Sequence, residues 1–135
     1  MSELLDLSAR DVLKGFQDKT ISPVDYMAAL CDRVETREPK VCALYAYKPD
    51  DAMAKARASE NRWVKGEPVG PLDGMPVTVK ELIATKDAPV PMGTAAIDLV
   101  PAAEDAPTAA RLNEDGAIIF AKTTCPDYGM LSSGL

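Results

Sequence analysis

Apolar positions in this chain follow two rhythms, one of helical period and one of strand period. Ser8-Ala9-Arg10-Asp11 places a serine cap before a carboxylate three residues on, close to a capping box. Val12, Leu13 and Phe16 then mark one apolar side, which predicts a helix from about Ala9 to Gln17. Ser22-Pro23-Val24-Asp25 is a stronger start: serine caps, proline occupies the first helical position, and aspartate meets the helix dipole. Met27, Leu30, Cys31 and Val34 recur at i, i+3, i+4 and i+7, a single helical face, and Pro39 is expected to end it. The two helices read as an αα-hairpin that packs on something larger.

Residues 41–47 are apolar on both faces, which predicts a strand buried on both sides. Pro49-Asp50-Asp51 opens an alanine-rich helix that should end near Trp63 and Gly66. Glycine and proline crowd residues 66–76, so the chain turns tightly there. Residues 75–82 read as a second strand. Residues 83–107 contain Pro89, Pro91, Pro101 and Pro107 without helical periodicity, a long loop of the kind that often carries function. Asp105-Ala106-Pro107 begins another helix through Leu112, and residues 117–121 form an apolar strand after Gly116. Strands alternating with helices imply an α/β fold. Three strands make a thin sheet, which suggests that more chain completes it.

Composition narrows the function. A chain of 135 residues fits one small domain, and 47% apolar residues can build a core that is mostly aliphatic. A net charge of −6 argues against nucleic-acid binding, which needs a basic face. The acidic start Met1-Ser2-Glu3-Leu4-Leu5-Asp6 has no long apolar run, so neither a secretory signal nor a membrane span is expected, and the chain reads as cytoplasmic. Cys31, Cys42 and Cys125 are far apart, show no metal-ligand spacing, and read as reduced, mostly structural thiols. The many aspartates and glutamates read as solvated faces without a metal pattern. The last residues, ending Ser132-Ser133-Gly134-Leu135, are small and turn-forming; they are expected to be a frayed end or a point from which the coding sequence continues.

The chain has no histidine, so the commonest general base is absent. A desolvated lysine is the natural substitute, because its ammonium loses a proton readily when buried. Lys80 follows a rigid Gly/Pro turn on an apolar strand. On that strand Val77, Val79 and Glu81 point one way while Thr78, Lys80 and Leu82 point the other, so adjacent Glu81 is a poor partner for Lys80. The bland alternative is a strand-end lysine with its ammonium in water. Gly116-Ala117-Ile118-Ile119-Phe120-Ala121-Lys122-Thr123 approaches a phosphate loop, but its β-branched middle and Ala121 fit a buried strand ending in a polar turn instead. Ser132 and Ser133 beside Gly134 would need a neighbouring base to act as nucleophiles, and such pairs usually belong to turns. Cys125 before Pro126 reads as a packed thiol.

The segments together resemble the amidase signature family. Gly70-Pro71-Leu72-Asp73-Gly74-Met75-Pro76-Val77-Thr78-Val79-Lys80-Glu81 is similar to the family's GPLxGxPvxvKD/E element. Met92-Gly93-Thr94 and Asp105-Ala106-Pro107 follow in order. Gly116-Ala117-Ile118-Ile119-Phe120-Ala121-Lys122-Thr123-Thr124 resembles the strand GAxxxGKTN, and Asp127-Tyr128-Gly129-Met130 resembles EFxM. Asp73, Glu81 and Thr124 depart from the more frequent histidine, aspartate and asparagine.

The resemblance implies that residues 1–135 are the N-terminal part of a single amidase signature domain, an α/β/α fold with a central mixed sheet and a helical hairpin at its N-terminus. It implies hydrolysis of a small-molecule amide by a Ser–cis-Ser–Lys triad, with Lys80 as the triad lysine, neutral, desolvated and free of a carboxylate partner. The two catalytic serines are expected beyond Leu135, so the 135 residues alone are expected to be inactive. Met130 and Ser132 are expected as substrate contacts. No cofactor or metal is implied, and a homo-oligomer is compatible. The alternatives are a non-catalytic binding module derived from the same fold and a subunit of a tRNA-dependent amidotransferase.

Overall fold

The structure, a computed structural model, describes residues 3–130. A short 3-10 helix at Glu3–Asp6 precedes α1 (Ala9–Gln17), α2 (Pro23–Val41), β1 (Leu44–Tyr45), α3 (Pro49–Lys65), β2 (Pro76–Lys80), α4 (Pro107–Glu114) and β3 (Ile118–Thr123). The caps act as their sequence promises. Ser8 accepts from the Asp11 N–H at 3.2 Å, and Ser22 accepts from the N–H groups of Val24 and Asp25. The Ser22 hydroxyl also donates to the Glu60 carboxylate, which ties the start of α2 to α3.

Pro39 does not end α2, contrary to expectation; the helix continues to Val41. A proline this close to a C-terminus removes only one intrahelical bond, and the Cys42 N–H still closes the last turn on the Glu38 carbonyl at 2.9 Å. The doubly buried strand expected at residues 41–47 is also corrected. Cys42 and Ala46 both adopt left-handed backbone (φ 51° each), which confines the extended segment to Leu44 and Tyr45. Both are half-buried, because β1 is a sheet edge.

The sheet order is β1-β3-β2, with β1 antiparallel and β2 parallel to the central β3, so the sheet is mixed. Val77 pairs with Ile119 and Thr78 with Ala121, which leaves Phe120 as an extra, bulged residue. That bulge matters to the core. The Phe120 ring meets Tyr47 edge-on at 6.3 Å, and its carbonyl accepts from the Lys48 N–H at 3.1 Å, anchoring the start of α3 to β3. Met27 and Cys31 of α2, Ala52 and Ala56 of α3, and Ile118, Phe120 and Ala121 of β3 form the main core. Small alanines on α3 let that helix approach the strand closely. A second cluster joins α1 to α2 through Phe16 and Tyr26, whose rings meet edge-on at 6.1 Å, and reaches Trp63 and Met75.

The proline-rich segment after β2 is irregular but closed on itself. Lys86 bridges Ala102, Pro89 bridges Pro101, and the Ala106 N–H donates to the Ala84 carbonyl at 2.9 Å. Among the described residues no helix is long and apolar enough to cross a membrane.

Candidate active site around Lys80

The turn before β2 is braced by a buried carboxylate. Asp73 is wholly buried and receives two bonds from the Arg62 guanidinium, at 2.8 and 2.6 Å, and one from the Val69 N–H at 3.0 Å. The Trp63 indole N–H donates to the Asp73 carbonyl at 3.0 Å. Burial alone would push the Asp73 carboxyl up; the arginine and the backbone N–H more than offset it and hold the group below the ordinary carboxylate range. Gly116 (φ +86°) crosses behind this turn, where a Cβ would stand 2.7 Å from Asp73 Cα. Glycine therefore suits both the backbone angle and the space there.

From this braced turn the chain enters β2 and alternates as expected. Val79 and Glu81 are buried; Thr78 and Lys80 are exposed on the opposite side. Glu81 turns away from Lys80 and accepts from the Cys125 N–H at 2.8 Å. Among the described residues no carboxylate lies within ion-pair distance of Lys80. The desolvation expected of Lys80 is not seen in the described residues: its side chain is exposed. The cause is topological. β2 is an edge strand that packs chiefly on β3, while the helices lie against the central strand.

One loop does reach Lys80. Glu81 fixes Cys125, and the Asp127–Gly129 3-10 turn follows at once. A Cβ on Gly129 (φ +69°) would stand 3.8 Å from Lys80 Nζ and 2.6 Å from Leu82 Cδ1, so the glycine backbone passes beside the amine. The Tyr128 N–H donates to the Met92 carbonyl at 2.7 Å, linking this turn to the Met92-Gly93 segment. Burial, then the Glu81 carboxylate, push the Cys125 thiol up, away from thiolate chemistry. Met130 follows the turn and is 84% exposed. Ser132 lies outside the described residues.

Two features went unread in the sequence. Asp73 and Glu81 are buried and hydrogen-bonded, not solvated as the acidic residues were expected to be. Lys122 is the larger omission. It is 2% exposed on the central strand, between Tyr45 and Val79, and its Nζ has no hydrogen-bond partner among the described residues. Burial pushes its ammonium down, partly countered by the charge of Glu81. The signal available was a lysine inside the run Ile118–Thr123, a strand whose other members are apolar or small apart from the terminal threonine.

Residues 25–135 match the amidase family model, and the chain belongs to that family. A glutamyl-tRNA(Gln) amidotransferase subunit of Geobacter metallireducens is 32% identical over 132 residues, covering 98% of this chain and 27% of the relative. The corresponding subunit from Anaeromyxobacter sp. (strain K) is 34% identical over 131 residues, covering 97% and 27%. An amidase crystal structure superposes with a TM-score of 0.83 at 28% identity, over 92% of this chain and 28% of the other. A bacterial aryl acylamidase of the amidase signature enzymes gives 0.78 at 27% identity, over 90% and 26%. The chain spans about a quarter of the length of the curated relatives it matches. The mixed α/β fold is therefore that of amidase signature enzymes.

Proposed function

We propose that residues 1–135 form the lysine-bearing, N-terminal part of a single amidase signature domain that hydrolyses a small carboxamide. One observation supports this: Lys80 stands in the family's glycine/proline–strand–lysine element, on the exposed side of the edge strand β2, with no carboxylate in ion-pair reach among the described residues. In the assembled site Lys80 Nζ would be neutral and would accept a proton, through a cis-serine, from a nucleophilic serine. The serine oxygen attacks the amide carbonyl, the amine leaves with the returned proton, and water then cleaves the acyl-enzyme. Both serines come from sequence beyond Leu135 by resemblance, and packing of that sequence over β2 would supply the desolvation that Lys80 now lacks. Met130, which closes the turn beside Lys80, and, by resemblance, Ser132 would contact the acyl group. This chemistry uses no cofactor. A cytoplasmic setting fits the free cysteines Cys31, Cys42 and Cys125.

The test is Lys80→Ala in the complete polypeptide, assayed on a panel of simple carboxamides. Turnover should fall by about 10²- to 10⁴-fold, the usual contribution of a positioned general base, with the circular dichroism spectrum unchanged. Ordinary turnover in that variant would remove the mechanism.

A second reading is favoured by the names of the relatives, which are glutamyl-tRNA(Gln) amidotransferase subunits. Here the same acyl-enzyme would release ammonia for transfer, and the protein would work with partner subunits. Amide hydrolysis by the purified complete polypeptide alone favours the free amidase; release that depends on added subunits and charged tRNA favours the amidotransferase.

A further inference from the structure

Glu81 is a buried acid with no ion-pair partner among the described residues. A carboxylate out of water is costly, so the contacts that hold it there matter. Its side chain accepts from the Cys125 N–H at 2.8 Å, and its own backbone N–H donates to the Thr123 carbonyl at 2.9 Å. Glu81 thus grips the exit of β3 twice, once where the strand ends and again two residues later, where the chain leaves the sheet.

The loop held in this way leads to Lys80. The Gly129 N–H closes on the Pro126 carbonyl at 2.7 Å to form the turn, and a Cβ on Gly129 would stand 3.8 Å from Lys80 Nζ. The Met92-Gly93 segment backs the loop. A Cβ on Gly93 (φ +69°) would run into the carbonyls of Cys125 and Pro126, and the Met92 carbonyl accepts from the Tyr128 N–H. Burial, then Glu81, raise the Cys125 thiol, while the Lys80 ammonium lowers it, so the loop lies within reach of both charges. Lys80 and Glu81 point to opposite faces at the end of β2. Cys125 meets the acid and Gly129 meets the amine, so this one loop links the two.

We propose that Glu81 is a positioning residue for the general base: by fixing Cys125 it holds the Asp127–Gly129 turn against Lys80 and so sets where the amine stands relative to the reacting groups. Its role rests on the amidase chemistry proposed for Lys80. Glu81 touches no substrate and moves no proton; it acts only through the loop. Misplacing a reacting group by about 1 Å can cost on the order of 10²-fold in rate, so one anchoring bond is enough to matter.

Kinetics of the complete polypeptide on one carboxamide test it, with Glu81→Ala and Glu81→Gln alone and Glu81→Ala combined with Lys80→Ala. Glu81→Ala should lower kcat/KM by about ten- to 10²-fold. Glu81→Gln keeps an oxygen that can accept from the Cys125 N–H and should stay within about three-fold of wild type. In a Lys80→Ala background, Glu81→Ala should cost less than about two-fold, because residues that act through one another do not add. An acid that merely holds the fold together would cost the same in both backgrounds. Should Glu81→Ala fail to fold, Gly129→Ala disturbs the same turn from its other end, since its Cβ would meet Leu82 Cδ1 at 2.6 Å. The same loss is expected there, again absent without Lys80. Near-wild-type activity in the folded variant, a loss in Glu81→Gln as large as in Glu81→Ala, or losses that add to that of Lys80→Ala overturn the positioning role and leave Lys80 as the base. Ordinary turnover in Lys80→Ala overturns both.

Discussion

Lys80 and Lys122 occupy neighbouring strands one register position apart: Val79 pairs with Lys122, and Lys80 pairs with Thr123. Their surroundings are opposite. Lys80 ends an edge strand and faces outward, beside a glycine turn and without an acid. Lys122 sits on the central strand between β1 and β2, is 2% exposed, and has an ammonium with no partner among the described residues. The lysine proposed for catalysis is thus the wet one, and the lysine with a depressed affinity for protons is the one to which the proposed chemistry gives no part. Desolvation follows position in the sheet, not membership in a motif. A one-residue step along a strand reverses the face, and central strands are covered before edges.

The largest effect separates the two by activity. In the complete polypeptide, Lys80→Ala should lower amide turnover by about 10³-fold, whereas Lys122→Met should lower it by less than about ten-fold. Comparable losses in both, measured as kcat/KM on one carboxamide, would erase the functional distinction between the strands.

The next effect concerns the turn that delivers Lys80. Asp73→Ala leaves Arg62 and the Val69 N–H without their buried acceptor and should destabilise the fold by about 3 kcal/mol in urea denaturation. The pH dependence has a definite sign. The Asp73 carboxyl is held low in the folded protein, so its contribution is present above the ordinary aspartate value near 3.9 and is lost as pH falls through the lower folded value. Wild type should therefore lose more stability than Asp73→Ala below about pH 4.

Much of this geometry was legible in the sequence where a local rule acts alone. Ser8 and Ser22 announce their helices, and the alternation Val77 to Glu81 separates Lys80 from its neighbouring acid. What failed depends on tertiary placement. The apolar residues around Leu44 look like a buried strand, yet positive φ at Cys42 and Ala46 cuts the strand to two residues, and no composition rule predicts a left-handed cysteine or alanine. Asp73 looks like a surface turn residue until Arg62, eleven residues earlier on a helix, folds back on it. Exposure of Lys80 and burial of Lys122 follow from strand order β1-β3-β2, which the one-dimensional pattern does not contain.

The smaller effects sharpen the comparison in stability alone. Lys122→Met removes a buried cation and keeps a similar volume, so it should stabilise the protein by about 1–2 kcal/mol at pH 7. The advantage should shrink as pH rises. Because the folded protein holds the Lys122 proton less tightly than the unfolded chain does, the penalty is full at low pH. It is relieved as pH climbs from the lowered folded value toward the unfolded value near 10.4. Lys80→Met is the control, with a change within about 0.5 kcal/mol because an exposed side chain gives up no buried contact. That small number carries weight only beside the complete polypeptide. If sequence beyond Leu135 covers β2 and dries Lys80, the same substitution there should become stabilising, as it is at Lys122, while activity falls. A Lys80→Met effect equally small in both would mean that the amine stays in water throughout, and a solvated ammonium is a poor proton acceptor at neutral pH.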